Sequence, residues 1–167
     1  MFLAYDKTFR IQTPNIKVSG KRNLSKSDIQ KLLTGKVIVE EKIDGANVGI
    51  IGTGKTDQPF RLQKRGSLVD TSEHMQFNRF KAWAYERWNE LTKLKKGTLI
   101  YGEFMWATHH IFDDRLPDWF ICFDIWDGTT FVRRDEKERI CNSLGIHVVP
   151  LIFEGNVENI SHLESLV

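Results

Sequence analysis

The chain has 167 residues, 41% of them hydrophobic and 28% charged, an ordinary balance for one globular core of moderate size. No stretch approaches the ~20 apolar residues of a membrane span, and the N-terminus turns charged too early for a secretory signal. A net charge of +2 does not announce a nucleic-acid binder, although residues 1–70 hold 13 Lys and Arg against 7 Asp and Glu.

Residues 26–34 read as a short helix, with Ser25 or Ser27 as N-cap and Gly35 just past its end. Val37-Ile38-Val39 begins a strand, and Val48 to Ile51 forms a second apolar run. Turn residues Gly52-Thr53-Gly54 and Asp57-Gln58-Pro59 follow, then an alternating strand at Phe60-Arg61-Leu62-Gln63. Thr71 or Ser72 is placed to cap a long helix to about Lys95. Its apolar positions Phe77, Phe80, Trp83, Ala84, Trp88, Leu91 and Leu94 keep three- and four-residue spacing, and Gly97 closes it. Strands are expected at about 98–104 and 119–126, a helix near 135–144 ended by Gly145, a strand at 147–153, and a weaker helix at 157–166. The early strands lack helical crossovers, which favours an α+β fold on antiparallel sheet.

Gly49 through Thr56 formally fits the phosphate-binding pattern G-x-x-x-x-G-K-[ST]. That loop works only where a helix starts at its lysine. Pro59 falls inside the required helix, at a cost of about 3 kcal/mol, and the residues beyond alternate like a strand. The segment therefore reads as a hairpin turn.

Glu40-Glu41-Lys42-Ile43-Asp44-Gly45-Ala46-Asn47 lies between two apolar strands. Taken alone, a lysine flanked by carboxylates and a glycine turn describes a surface hairpin equally well. A deprotonated lysine is also a covalent nucleophile, and Lys64 and Arg65 are candidate cations to favour that form and to hold phosphates. Lys42-Ile43-Asp44-Gly45 resembles motif I, K-x-D-G, of the covalent nucleotidyltransferases, which comprise the polynucleotide ligases and mRNA capping enzymes. Further segments follow in that superfamily's order. Lys64-Arg65-Gly66-Ser67 resembles the motif whose arginine contacts the nucleotide. Tyr101-Gly102-Glu103-Phe104 resembles motif III, and Phe120-Ile121-Cys122-Phe123-Asp124-Ile125 resembles motif IIIa. Within the superfamily, Asn47 and Glu41 are similar to the RNA ligase branch. DNA ligases and capping enzymes usually carry Arg where Asn47 stands.

The resemblance implies an adenylation domain over residues 1–167 whose Lys42 attacks the α-phosphate of ATP and carries AMP as a covalent adduct. It implies nucleotide contacts from Glu41, Ile43, Asn47, Arg65, Glu103 and Phe123, with Glu103 at the ribose and Phe123 stacked on the base. Mg²⁺ or Mn²⁺ would accompany the phosphates, and RNA ends (5′-phosphate and 3′-hydroxyl) would be the partners, in an intracellular setting. No residue is assigned as a metal ligand; adjacent His109 and His110, with Asp113 and Asp114, read as a supporting loop. By strand alternation, Asp124 is expected on the opposite face from Phe123. Cys122 and Cys141 read as buried bystanders.

Two departures from the family stand out. Glu154-Gly155-Asn156-Val157 superficially fits motif IV but follows Val149-Pro150 too closely, and no lysine occurs after Lys137 to supply motif V. The domain is therefore expected to lack its C-terminal motifs. The other readings are a DNA ligase or capping-type relative, and a non-catalytic nucleotide- or RNA-binding module.

Overall fold

The computed structural model describes residues 2–13, 22–70, 74–106 and 116–166. The chain divides into two compact units, Met1–Tyr5 with Ile43–Val149, and Asp6–Lys42 with Pro150–Val167. The proposed capping residues Thr71 and Ser72 and the loop residues His109, His110, Asp113 and Asp114 lie outside the described residues.

The first unit is built on a six-stranded sheet of β2 (Ala46–Gly52), β3 (Phe60–Lys64), β4 (Ser67–Leu68), β5 (Leu99–Phe104), β6 (Phe120–Trp126) and β7 (His147–Val148), in the order β4-β3-β2-β5-β6-β7. Its pairs are antiparallel except β6 with β7. Helices α2 (Met75–Glu86), α3 (Trp88–Leu91) and α4 (Arg134–Ser143) supply the remaining elements of this unit. Val48, Ile50, Ile100, Phe104 and Phe120 meet Phe80, Trp83 and Leu91 of α2 and α3, and Cys141 of α4, in the main core. The other sheet face carries a smaller cluster of Ile51, Leu99 and Tyr101, against which Leu3, Tyr5 and Phe123 pack.

The long helix expected to reach Lys95 is broken at Arg87, where φ −103° and ψ 24° leave the helical region. Its apolar stripe nevertheless points inward as the periodicity predicts, with Phe80, Trp83, Ala84, Leu91 and Leu94 buried. Arg87 is drawn toward Asp118, to which Nη2 donates at 2.8 Å, and Nη1 donates back to the Trp83 carbonyl at 3.3 Å. A partner 31 residues away thus sets the break. The helix starts at Met75 with His74 as its N-cap, Nδ1 accepting from the Gln76 N–H at 3.4 Å.

The segment Gly49 to Thr56 is strand and turn. Gly54 has φ +72°, Lys55 is exposed, and strand β3 follows, so no helix N-terminus stands there to cradle phosphate.

In the second unit, β1 (Lys36–Glu40) pairs antiparallel with β8 (Leu151–Asn156) as a two-stranded sheet, alongside helices α1 (Lys26–Leu33) and α5 (Ile160–Glu164). The single strand expected at 147–153 is therefore two strands in different sheets. Pro150 sits between them, and the chain passes from one unit to the other there. Proline has no N–H to extend a ladder, which makes it a natural break.

Helix α1 buries no residue, so its ends matter more than its faces. Ser25 Oγ accepts from the Asp28 N–H at 3.1 Å, and the Ser25 hydroxyl holds the Asp28 carboxyl below its usual range. Ser25→Ala should cost about 1 kcal/mol in local stability, the usual worth of such a cap. Amide exchange at Asp28 and Ile29 would read it, and unchanged protection would show that the cap contributes nothing.

Candidate active site

The K-x-D-G segment joins the two units. Glu41 and Lys42 end the second one, both with exposed side chains, and the Glu41 N–H donates to the Pro150 carbonyl at 3.0 Å. Ile43, Asp44 and Gly45 open the first unit and are half-buried. Gly45 is required by close approach. A Cβ there would lie 2.6 Å from Met105 Sδ and 2.9 Å from the Phe104 carbonyl oxygen.

From Gly45 the chain enters β2, and register brings the next candidates together. Asn47 pairs with Glu103 across β2 and β5, and Asn47 Nδ2 donates to Glu103 Oε1 at 3.4 Å. Both side chains are half-buried. Tyr101, two residues before Glu103, shares its sheet face, and the Phe123 ring stacks 6.4 Å from the Tyr101 ring. One face therefore presents an amide, a carboxylate and an aromatic ring from three neighbouring strands.

Phe123 occupies a β-bulge. Tyr101 pairs with Asp124 and Gly102 with Cys122, which leaves Phe123 without a partner. A bulge re-aims side chains. That overturns the expectation that Asp124 points away from Phe123. Tyr5 touches both, its ring edge-on to Phe123 at 4.9 Å and its hydroxyl donating to Asp124 Oδ2 at 2.6 Å. The bulge is also held from behind, since buried Lys137 of α4 donates from Nζ to the Phe123 carbonyl at 2.7 Å.

Neither Tyr5 nor Lys137 was legible as a site-shaping residue. The N-terminal segment shows no periodicity, yet it straps the sheet face by reciprocal bonds. Gln63 Nε2 donates to the Leu3 carbonyl at 2.8 Å, the Leu3 N–H donates to Gln63 Oε1 at 3.4 Å, and Tyr101 Oη donates to that same carbonyl at 2.9 Å.

The two candidate cations separate. Lys64 pairs with Val48, and its Nζ lies 5.3 Å from the Phe77 ring centroid, on the α2 side of the sheet. Arg65 is exposed in the turn from β3 to β4. Glu154, the motif IV candidate, lies on β8 with its carboxylate 2.7 Å from Lys36 Nζ. Cys122 and Cys141 are both buried, and burial pushes the Cys122 thiol well up, which suits packing and not nucleophilic chemistry. Among the described residues no group of three or more His, Cys, Asp or Glu converges on a metal-sized site, and no helix is long and apolar enough to cross a membrane.

Comparison with known proteins bears on this arrangement. The RNA ligase family model matches residues 35–166. A variant of the Naegleria gruberi RNA ligase, solved with ATP and Mn, shares the fold with TM-score 0.62 at 15% identity, over 80% of this chain and 41% of that one. Another variant of that ligase, with AMP and Mn, gives TM-score 0.62 at 16% identity, over 79% and 40%. The same ligase with PPi gives 0.59 at 18% identity, over 81% and 44%. At such identities the likeness is one of fold, and the chain spans less than half the length of these structures. A search of curated proteins returned no significant sequence match.

Proposed function

The chain belongs to the RNA ligase family, and from that premise we propose that it carries the adenylation core of an ATP-dependent RNA ligase with Lys42 as the covalent nucleophile. The observation that carries this reading is the Asn47–Glu103 pair, directly after the K-x-D-G turn and on the sheet face that holds Phe123.

The chemistry follows from the side chains. The Lys42 amine attacks the α-phosphorus of ATP; a P–N bond forms, the bond to pyrophosphate breaks, and the amine loses a proton. Glu103 accepts hydrogen bonds from ribose hydroxyls, the stronger kind because the acceptor is charged. Asn47 fixes that carboxylate by donating to it. Phe123 stacks on the purine, an interaction worth about 1–3 kcal/mol where bases stack on aromatic rings, and Tyr5 holds its ring from the edge. Arg65 meets phosphate oxygens and stabilises the charge that develops there. Glu41 contributes to adenine recognition, and Ile43 lies against the nucleotide beside the reacting lysine. AMP then passes to a 5′-phosphate end of RNA, and a 3′-hydroxyl displaces it to seal the strand. Mg²⁺ or Mn²⁺ would neutralise charge on the triphosphate, held chiefly by phosphate oxygens and water, since among the described residues no group of three or more His, Cys, Asp or Glu converges.

The test is mass spectrometry of the protein after incubation with ATP and Mn²⁺. One acid-labile adenylate on Lys42 is expected. RNA joining without that adduct, or an adduct on another residue, would overturn the assignment. Labelling by GTP in place of ATP would select a capping-type relative, and ATP binding without pyrophosphate release a non-catalytic module.

A further inference from the structure

A second site lies on the helix-covered side of the sheet in the first unit. Arg79, Ala82, Trp83 and Glu86 recur at helical spacing along α2, and with Arg87, Asp118 and Trp119 they line a cleft of about 260 Å³. We propose that this cleft is a subsite for one nucleotide of the RNA strand being joined, its base stacked on Trp119 and its phosphate held by Arg79. The proposal rests on the RNA ligase reading and adds the place where the polynucleotide is gripped.

The floor of the cleft is already neutralised. Asp118 Oδ1 accepts from Trp83 Nε1 at 2.9 Å and from the Trp119 N–H at 2.6 Å, while Oδ2 accepts from Arg87 Nη2 at 2.8 Å. The Arg87 guanidinium stacks 4.3 Å over the Trp83 ring. Asp118 and Arg87 are thus spent on each other, so the floor neither repels nor attracts a phosphate strongly.

The rim is different. Trp119 is 44% exposed, a large apolar ring left in water. It is held in place by an edge contact with Phe104 at 6.1 Å and by Trp106 at 6.4 Å. The Arg79 guanidinium rests 5.6 Å from the same Trp106 ring. A fixed, open aromatic ring next to a fixed cation is the pairing that single-stranded nucleic acid selects, since bases stack and phosphates seek positive charge. Glu86 follows Arg79 by seven residues, about 10.5 Å along the helix, so it disfavours phosphate only at the far end of the cleft. The volume falls below the about 300–1,000 Å³ of drug-sized pockets, which suits one planar base better than a peptide side-chain cluster.

The cleft lies on the α2 side of the sheet, whereas Phe123 packs with Tyr101 on the other face, so it is a site apart from the nucleotide-binding face.

The test measures binding of a 5′-phosphorylated single-stranded oligoribonucleotide by fluorescence anisotropy across a salt series, with ATP-dependent adenylation of Lys42 followed in parallel. Trp119→Ala should weaken RNA binding about tenfold, within the range expected for one lost stacking contact. Trp119→Phe should retain affinity within about threefold, because any aromatic face stacks. Arg79→Ala should reduce the salt slope by about 0.7, the loss of one phosphate contact on a single strand. Adenylation should be unchanged in all three. Wild-type affinity in Trp119→Ala, or a wild-type salt slope in Arg79→Ala, would overturn the proposal; a cleft that serves a protein partner gives both. Failure of adenylation in the unsubstituted protein, with the RNA pattern intact, would instead remove the ligase reading and leave the cleft standing.

Discussion

Lys42→Ala should abolish covalent labelling by α-labelled ATP while leaving the protein folded. Lys42 is exposed and has no hydrogen bond or ion pair among the described residues, so its loss should change stability by no more than about 0.5 kcal/mol, as at ordinary surface positions. The loss of adenylation should be on the order of 10⁴-fold or more, the scale on which removing a covalent nucleophile acts elsewhere. Lys42→Arg separates nucleophile from charge. A guanidinium keeps the positive charge but does not give up its proton in proteins, so this variant should bind ATP and still form no adduct. Labelling of either variant at the wild-type level would end the assignment of Lys42.

Gly102→Ala should destabilise the sheet strongly for so small a substitution. Glycine in a strand interior is ordinarily a weakness, and alanine there gains about 0.5–1 kcal/mol. Here space reverses the sign. A Cβ at Gly102 would lie 2.5 Å from the Phe120 ring and 2.6 Å from the Ile121 carbonyl oxygen. Phe120 has no room to yield, being fully buried with its ring centroid 5.8 Å from Phe80 and 5.0 Å from Trp83. The Ile121 oxygen belongs to the neighbouring strand's backbone. Overpacking of this kind costs about 1–3 kcal/mol and sometimes more; a loss near 3 kcal/mol should lower Tm by about 6–12 °C for a chain of this size. Because Glu103 is the next residue, nucleotide affinity should fall with it. Thermal denaturation within about 1 °C of wild type would show that β5 and β6 separate more easily than the packing implies.

The same glycine shows how much of the site was legible beforehand. The order of the chemistry-bearing segments, from Lys42 through Arg65 and Glu103 to Phe123, can be read along the chain, because each needs a distinctive residue type in a short window. Why Gly102 stands between Tyr101 and Glu103 cannot be read that way. The reason is a phenyl ring on another strand. Asp124 went to an unexpected place for a related cause, since alternation assumes a regular strand and the bulge belongs to a pairing between β5 and β6. The helix break at Arg87 likewise answers to Asp118, 31 positions on.

By itself, the amino-acid order determined most of the elements and their inward faces: the α1 cap at Ser25 or Ser27, the stripe of Phe80, Trp83 and Leu91, the glycine stop at Gly145, and the rejection of the phosphate-loop pattern at Gly49. These rest on interactions within a few residues, where propensity and periodicity act directly. Only the tertiary structure decided that Asn47 meets Glu103, that Tyr5 flanks Phe123, that Pro150 divides strands of two sheets, and that Trp119 stands open beside Arg79 and Trp106. Those contacts join residues far apart along the chain. Their partners are chosen by strand register and close packing, which no local window contains.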